Sequence, residues 1–290
     1  MREWNLKESG VMLLSNGCFR RKAVLSVMKL GFIGAGNMGS AIISGILNKG
    51  ALPADCIYVS RKHPEKGAEL AQKGVHIMKD NLSLAQAVDC VLLAVKPVYA
   101  ADVIREVYDA LNGKFVISIV AGWTYEMLKD ALPDAARFVR VMPNICAQVL
   151  CSASAVCPNA ACTPEQVELV RAMFRSVGEV YDIPEAQFSA FSALGGASGA
   201  FVQIYIDALS SAGVKAGLSR ALAQKIACQA TLGAAKLCQE TGEHPMALVD
   251  KVTSPGGTTI EGVHVLKKQG FESAVIEAVN AIIEKDKRLG

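Results

Sequence analysis

The chain has 290 residues, 51% hydrophobic and 20% charged, a composition that excludes intrinsic disorder for the chain as a whole and leaves room for two domains at about 150 residues each. Lys and Arg number 30 against 27 Asp and Glu, a net charge of +3, which is too small a surplus to favour nucleic acid or an anionic membrane as the main partner. The partner expected instead is a small molecule or another protein.

Nine cysteines with no C-x-x-C pair are far too sparse for a disulfide scaffold and point to a reducing, cytoplasmic setting. Cys146, Cys151, Cys157 and Cys162 lie near one another, but their spacings are wide and no histidine falls among them. They read as small buried hydrophobes, and no metal site is expected. Every apolar stretch is interrupted before the roughly 18 residues that a membrane span needs.

Residues 1–28 read as a loosely attached leader, with scattered charges and no apolar core of signal-peptide length. Arg20, Arg21 and Lys22 would suit an organellar transit peptide; Glu3 and Glu8 would not. From residue 29 apolar strands alternate with helical spacing. Residues 29–34 (KLGFIG), 57–60, 75–78, 90–95 (CVLLAV), 115–120 (FVISIV) and 137–141 predict strands. Ile42, Ile43, Ile46 and Leu47 mark a helix over 38–48, Pro64 opens another that Gly74 ends, and 98–111 is amphipathic. Thr163, Pro164 and Gln166 announce a helix with a capping box, and 179–183 reads as a last strand. Such near-continuous apolar strands predict a mostly parallel sheet covered on both faces. Beyond Pro184 strand signals vanish, and helices are expected over 190–212, 219–240, 245–252, 259–269 and 271–287, so the expected division is an α/β domain at 29–184 and an all-α domain at 185–290.

The first turn carries the first chemistry. Gly34-Ala35-Gly36-Asn37-Met38-Gly39 is a G-x-G-x-x-G between a strand and a helix, where the first glycine permits the turn, the second lets a pyrophosphate approach, and the third lets helix and strand pack. At the end of the second strand an NAD site usually places an acid on the ribose 2′-hydroxyl. Here Ser60, Arg61 and Lys62 stand there, favouring the 2′-phosphate of NADP and so NADPH over NADH. The carboxyl ends of later strands, Ala94-Val95-Lys96-Pro97 and Ala121-Gly122, are expected to complete the cofactor cleft, with Lys96 either a cofactor contact or a solvated strand end.

No G-x-S-x-G or H-E-x-x-H is present, and His63, His76, His244 and His264 are scattered, so no general base volunteers for alcohol oxidation. What stands out is Ser254-Pro255-Gly256-Gly257-Thr258-Thr259 before a helix. It is either an ordinary cap and loop or an anion site made of backbone N–H groups and hydroxyls.

The run 245–267, PMALVDKVTSPGGTTIEGVHVLK, resembles the signature of pyrroline-5-carboxylate reductases, and the likeness extends from residue 28 to the C-terminus through GFIGAGNMGSAI, AVKP and RVMPN. The resemblance implies a Rossmann domain followed by an all-helical dimerisation domain, a dimer or ring of dimers, and reduction of 1-pyrroline-5-carboxylate to proline with NAD(P)H. It implies that the 254–258 backbone holds the substrate carboxylate, that Thr259 hydrogen-bonds the ring nitrogen, and that Met142 and Asn144 border the nicotinamide. The chemistry agrees with the missing base, because a protonated cyclic imine is already an electrophile and needs mainly to be held against the hydride donor. Residues 195–200 (GGASGA) depart from the family's serine- and proline-containing pattern, and the leader has no counterpart. Three rival readings stand beside this one. A hydroxyacid dehydrogenase would carry a lysine and an asparagine in its long helix, both absent from 196–209; a related imine reductase and a non-catalytic dinucleotide sensor would share the glycine turn.

Overall fold

The structure is a computed structural model that describes residues 28–288; the expected leader lies outside the described residues apart from Met28. Two compact units divide the chain between Phe191 and Ser192.

The first unit is built on one sheet of eight strands in the order β3-β2-β1-β4-β5-β6-β7-β8. These are β1 (Leu30–Ile33), β2 (Ile57–Ser60), β3 (His76–Ile77), β4 (Cys90–Leu93), β5 (Phe115–Ser118), β6 (Arg137–Met142), β7 (Ser152–Pro158) and β8 (Gly178–Asp182). The first six run parallel. β7 is antiparallel to β6, and β8 follows it in parallel. Every residue of β1, β4 and β5 is buried, as apolar runs at the centre of a two-sided sheet must be.

Helices α1 (Asn37–Asn48), α2 (Ala68–Gln72), α3 (Asn81–Ala87), α4 (Pro97–Leu111), α5 (Tyr125–Ala131) and α6 (Pro164–Arg175) connect the strands. The two larger apolar clusters of this unit take Ile42, Ile43 and Ile46 of α1 with Phe32, Phe174 and Val139 in one, and Ile104 and Val107 of α4 with Leu93 and Phe138 in the other. The capping box of α6 forms as its sequence predicts, with the Thr163 hydroxyl accepting from Gln166 N–H and the Gln166 side chain accepting from Thr163 N–H.

Several expectations need correction. The strand expected over 75–78 shrinks to two residues, and the helix expected from Pro64 is a 3-10 turn, Pro64–Gly67, followed by the short α2. α3 and β7 were not foreseen. SASAVCP of β7 has small residues in place of a bulky apolar run, and its strand state comes from pairing with β6 on one side and β8 on the other. The turn Glu185–Gln187 and helix α7 (Phe188–Phe191) follow β8, and Phe188 is buried against Ala155 and Cys157. Of the four neighbouring cysteines Cys157 is buried, Cys146 and Cys162 are intermediate, and Cys151 is exposed.

The second unit is all helical. A π-helical segment, Ser192–Ala197, leads into α8 (Ser198–Lys215), followed by α9 (Arg220–Thr241), α10 (Pro245–Val252), α11 (Thr258–Lys268) and α12 (Phe271–Lys287). The helix expected over 190–212 is thus interrupted, and the wide π turn falls at the paired glycines Gly195 and Gly196, whose missing side chains lower the cost of an irregular helix. Among the described residues no helix is long and apolar enough to cross a membrane.

Candidate active site

The glycine turn between β1 and α1 gives each glycine a distinct role. Gly34 has φ +95°, and a Cβ there would lie 2.6 Å from the Ala94 carbonyl oxygen. A Cβ on Gly39 would meet the Gly34 carbonyl oxygen at 2.7 Å, whereas one on Gly36 would meet nothing within 4 Å. The outer two glycines are therefore demanded by packing and the middle one faces open space. Gly36 caps α1 without a side-chain hydrogen bond, leaving first-turn N–H groups and the positive helix end available to an anion. This cradle fits a dinucleotide pyrophosphate.

The β1–α1 turn is tied to the next strand, since Gly34 N–H donates to the Ser60 carbonyl (2.9 Å). Ser60 itself is buried, and its hydroxyl donates to Asn81 Oδ1 (2.7 Å), while Asn81 Nδ2 donates to Glu106 (2.8 Å). The Ser60 hydroxyl is thus turned inward, and Asn81, which no local sequence signal marks as part of the site, stands beside the strand end. Arg61 is half-buried and Lys62 exposed just beyond.

At the carboxyl ends of β4, β5 and β6 a cavity of about 220 Å³ brings together Met38, Ala94, Val95, Pro97, Ala121, Gly122 and Met142. All seven are expected cofactor residues, drawn from four separate stretches of sequence. Ile119, Val120, Arg140, Val141 and Pro143 also line it. Lys96 is exposed at the cap of α4 and is not part of the lining; neither are Asn37 and Asn144. Asn144 Oδ1 accepts from Cys146 N–H (3.0 Å) and caps a 3-10 turn, and the residue's own N–H donates to the Ser152 hydroxyl (3.1 Å).

Sequence reasoning gives Arg140 and Glu185 no role. A charged residue inside the apolar strand FVRVM was the available signal, because a buried guanidinium requires a partner. Arg140 pairs with Glu185, and its guanidinium lies 3.9 Å from the centre of the Phe188 ring.

In the second unit Ser254 to Gly257 form a four-residue turn: Pro255 is second, Gly256 third with φ +69°, and Gly257 N–H donates back to the Ser254 carbonyl (2.9 Å). That is the pattern of a type II turn. A Cβ on Gly257 would strike Ser254 Oγ at 2.4 Å. Gly257 caps α11 with no side-chain hydrogen bond, so this helix too begins with unsatisfied N–H groups. Thr258 and Thr259 are its first two residues and are exposed. Thr253, at the end of α10, spends its hydroxyl on the carbonyls of Val249 (3.0 Å) and Asp250 (3.3 Å). Thr259 stands at the start of a helix, with no preceding turn of carbonyls to bond, so its hydroxyl stays available. His244 caps α10 by accepting Met246 N–H at Nδ1 (3.2 Å) and is no base.

Burial pushes the Cys157 thiol up, with Glu185 adding to the shift, and lifts Cys162 to about 11. Neither is a nucleophile near neutral pH. No group of His, Cys, Asp or Glu among the described residues is arranged to hold a metal.

Residues 185–289 match the family described as pyrroline-5-carboxylate reductase dimerisation, and residues 29–122 match one described as NADP oxidoreductase, coenzyme F420-dependent. A pyrroline-5-carboxylate reductase of Escherichia coli is 42% identical over 263 residues, covering 90% of this chain and 98% of that protein. The chain belongs to the pyrroline-5-carboxylate reductase family. A relative of that name from Synechocystis is 40% identical over 91% of the chain and 98% of its own length. Among solved structures, a Plasmodium falciparum pyrroline carboxylate reductase with NADP bound superposes with a TM-score of 0.84 at 30% identity, covering 92% of this chain and 99% of that one. A Coxiella burnetii pyrroline-5-carboxylate reductase gives 0.86 at 32% identity, covering 91% and 98%. The mostly parallel sheet followed by a helical dimerisation domain is the architecture of this reductase family.

Proposed function

We propose that the chain reduces 1-pyrroline-5-carboxylate to proline with a nicotinamide dinucleotide, as a small-molecule enzyme of proline biosynthesis in the cytoplasm, and that NADPH is the preferred donor. The observation that carries the reaction is the turn at 254–257 feeding the uncapped helix α11, in a chain 42% identical to an enzyme of that name.

When bound, the dihydronicotinamide supplies the hydride. The chain's own residues do the rest. Backbone N–H groups at the start of α11, with Ser254 and the turn glycines Gly256 and Gly257 shaping their approach, hold the substrate carboxylate at the positive end of the helix. The Thr259 hydroxyl hydrogen-bonds the ring nitrogen, its oxygen accepting from the N–H of the protonated imine and its O–H donating to the lone pair of the amine that hydride addition leaves. Gly36 and the first turn of α1 hold the pyrophosphate, and the cavity between Ala121–Gly122 and Met142 takes the nicotinamide. Arg61 and Lys62, with no acid at the strand end, support a 2′-phosphate, and NADP is bound to the Plasmodium relative. The apolar faces of the helical unit meet those of a second copy, giving a dimer or a ring of dimers.

Oxidation of NADPH followed at constant pyrroline-5-carboxylate tests the reading. Activity is expected in the wild type, and Thr259→Ala is expected to lower turnover by roughly the 10²–10⁴ that positioned proton donors contribute, or somewhat less. Undiminished turnover in that variant would remove Thr259 from the mechanism, and cofactor binding without consumption in the wild type would point to a sensor.

A further inference from the structure

We propose that Glu185 is a positioning residue for the reduced nicotinamide: its carboxylate ties one wall of the cleft in which that ring is held to the start of the helix that follows the other wall. The proposal rests on the reading above, in which the cavity at the ends of β4, β5 and β6 receives the nicotinamide.

One wall of the cavity is the segment after β5, from Val120 to Gly122; the other is the end of β6, from Arg140 to Pro143. The second wall is held within the sheet by pairing with β5 and β7, whereas the first lies beyond the last residue of β5, Ser118, so its place depends on what holds the segment that follows it. A single oxygen, Oε1 of Glu185, links the two sides. It accepts from the N–H of Tyr125 (3.0 Å), the first residue of α5 and three residues beyond the first wall, and it pairs with the guanidinium of Arg140 in the second. Arg140 lines the cavity, its side chain is only 10% exposed, and the ring of Phe188, the residue that follows the turn begun by Glu185, lies against its guanidinium. The carboxylate is therefore a rivet placed behind the cleft, three residues of sequence away from the ring that backs the arginine.

Energetics argue that position, not stability, is what the pair supplies. A half-buried ion pair contributes little net stability, because desolvating both ions offsets their attraction. The second oxygen, Oε2, is buried with no hydrogen-bond partner among the described residues, so the carboxylate is not even fully satisfied where it stands. An arrangement that is costly to keep and that joins a residue of the cleft to the helix following its opposite wall is explained by the geometry it imposes. Hydride transfer is unusually sensitive to that geometry, since a displacement of about 1 Å can cost on the order of a hundredfold in rate.

The test separates the two ends of the cofactor. Glu185→Gln keeps the acceptor for Tyr125 N–H and removes the charge that draws Arg140. Turnover with NADPH and the inhibition constant of adenosine 2′,5′-bisphosphate, which lacks the nicotinamide, are measured in the intact protein. The expected result is turnover lowered about ten- to a hundredfold, a larger primary isotope effect with 4-deuterated NADPH, and bisphosphate inhibition within about twofold of wild type. Unchanged turnover, or turnover and bisphosphate affinity falling together, would overturn the proposal and leave the cofactor reading standing. Failure of the bisphosphate to compete with NADPH in the wild type would overturn the cofactor reading, and the proposal with it. If the Glu185→Gln chain does not fold, Glu185→Asp, which keeps the charge but draws the carboxylate back by one methylene from Tyr125 and Arg140, takes its place with the same expected pattern and the same overturning results.

Discussion

The two units bury their apolar side chains very differently. In the first, Phe32, Ile42, Ile43, Leu92 and Phe174 are completely enclosed, and the sheet is covered on both faces. In the second, the described residues that reach full burial are small: Ala193, Ser210, Ala223 and Ala227. Its large apolar side chains lie open, including Ile204 at 70% exposed, Ile276 at 61% and Leu232 at 60%. Scattered exposed apolar residues are ordinary, but a unit that exposes most of its Leu and Ile is one whose core is completed by another surface. The first unit is a domain in the full sense; the helical one is half of an interface, as its match to a dimerisation family agrees.

The contrast can be broken at its strongest point by paired core and surface substitutions. Phe174→Ala, inside the first core, is expected to cost about 3–5 kcal/mol of stability whatever the protein concentration. Ile226→Asp, on the open face of α9, is expected to leave the first unit folded but to shift sedimentation toward smaller species and make the melting temperature depend on concentration. Sedimentation identical to wild type in Ile226→Asp would show that the open face is not the associating one. A second, smaller contrast lies within the cofactor turn. Gly39→Ala drives a Cβ to within 2.7 Å of a backbone oxygen and is expected to lower thermal stability by a few kcal/mol, in line with other overpacked sites. Gly36→Ala meets no protein atom, so its melting temperature should stay close to wild type while NADPH affinity falls several-fold, read by fluorescence titration. The smallest expected effect is on selectivity. Arg61→Asp should raise the Michaelis constant for NADPH and lower that for NADH, changing the ratio of the two by roughly tenfold per 1.4 kcal/mol of lost phosphate attraction; unchanged constants would remove Arg61 from cofactor choice.

Much of this was legible in the residues. The glycine fingerprint, the capping box at Thr163 and the bounds of the helices Pro245–Val252 and Phe271–Lys287 follow from rules that act between close neighbours in the chain, and the structure has them where the sequence places them. Other features were read incompletely. Ser60 is expected at the cofactor's ribose end, and its hydroxyl donates to Asn81, which lies 21 positions on. Asn144 was expected beside the nicotinamide, and its side-chain oxygen caps a turn. Arg140 was visible as a charge in a strand, but its partner Glu185 is 45 positions away.

Sequence alone determined the alternation of strands and helices, the position of the pyrophosphate turn and the turn before α11, because cap, glycine and period-of-burial signals act between near neighbours and are written in consecutive letters. Tertiary structure alone decided that SASAVCP is a strand running against β6, that seven residues from four stretches meet around one cavity, and that one carboxylate binds both Tyr125 and Arg140. The reason is that strand pairing, cavity shape and the partner of a buried charge depend on which distant segments are brought together when the core closes, and nothing local to any of those segments specifies its neighbour.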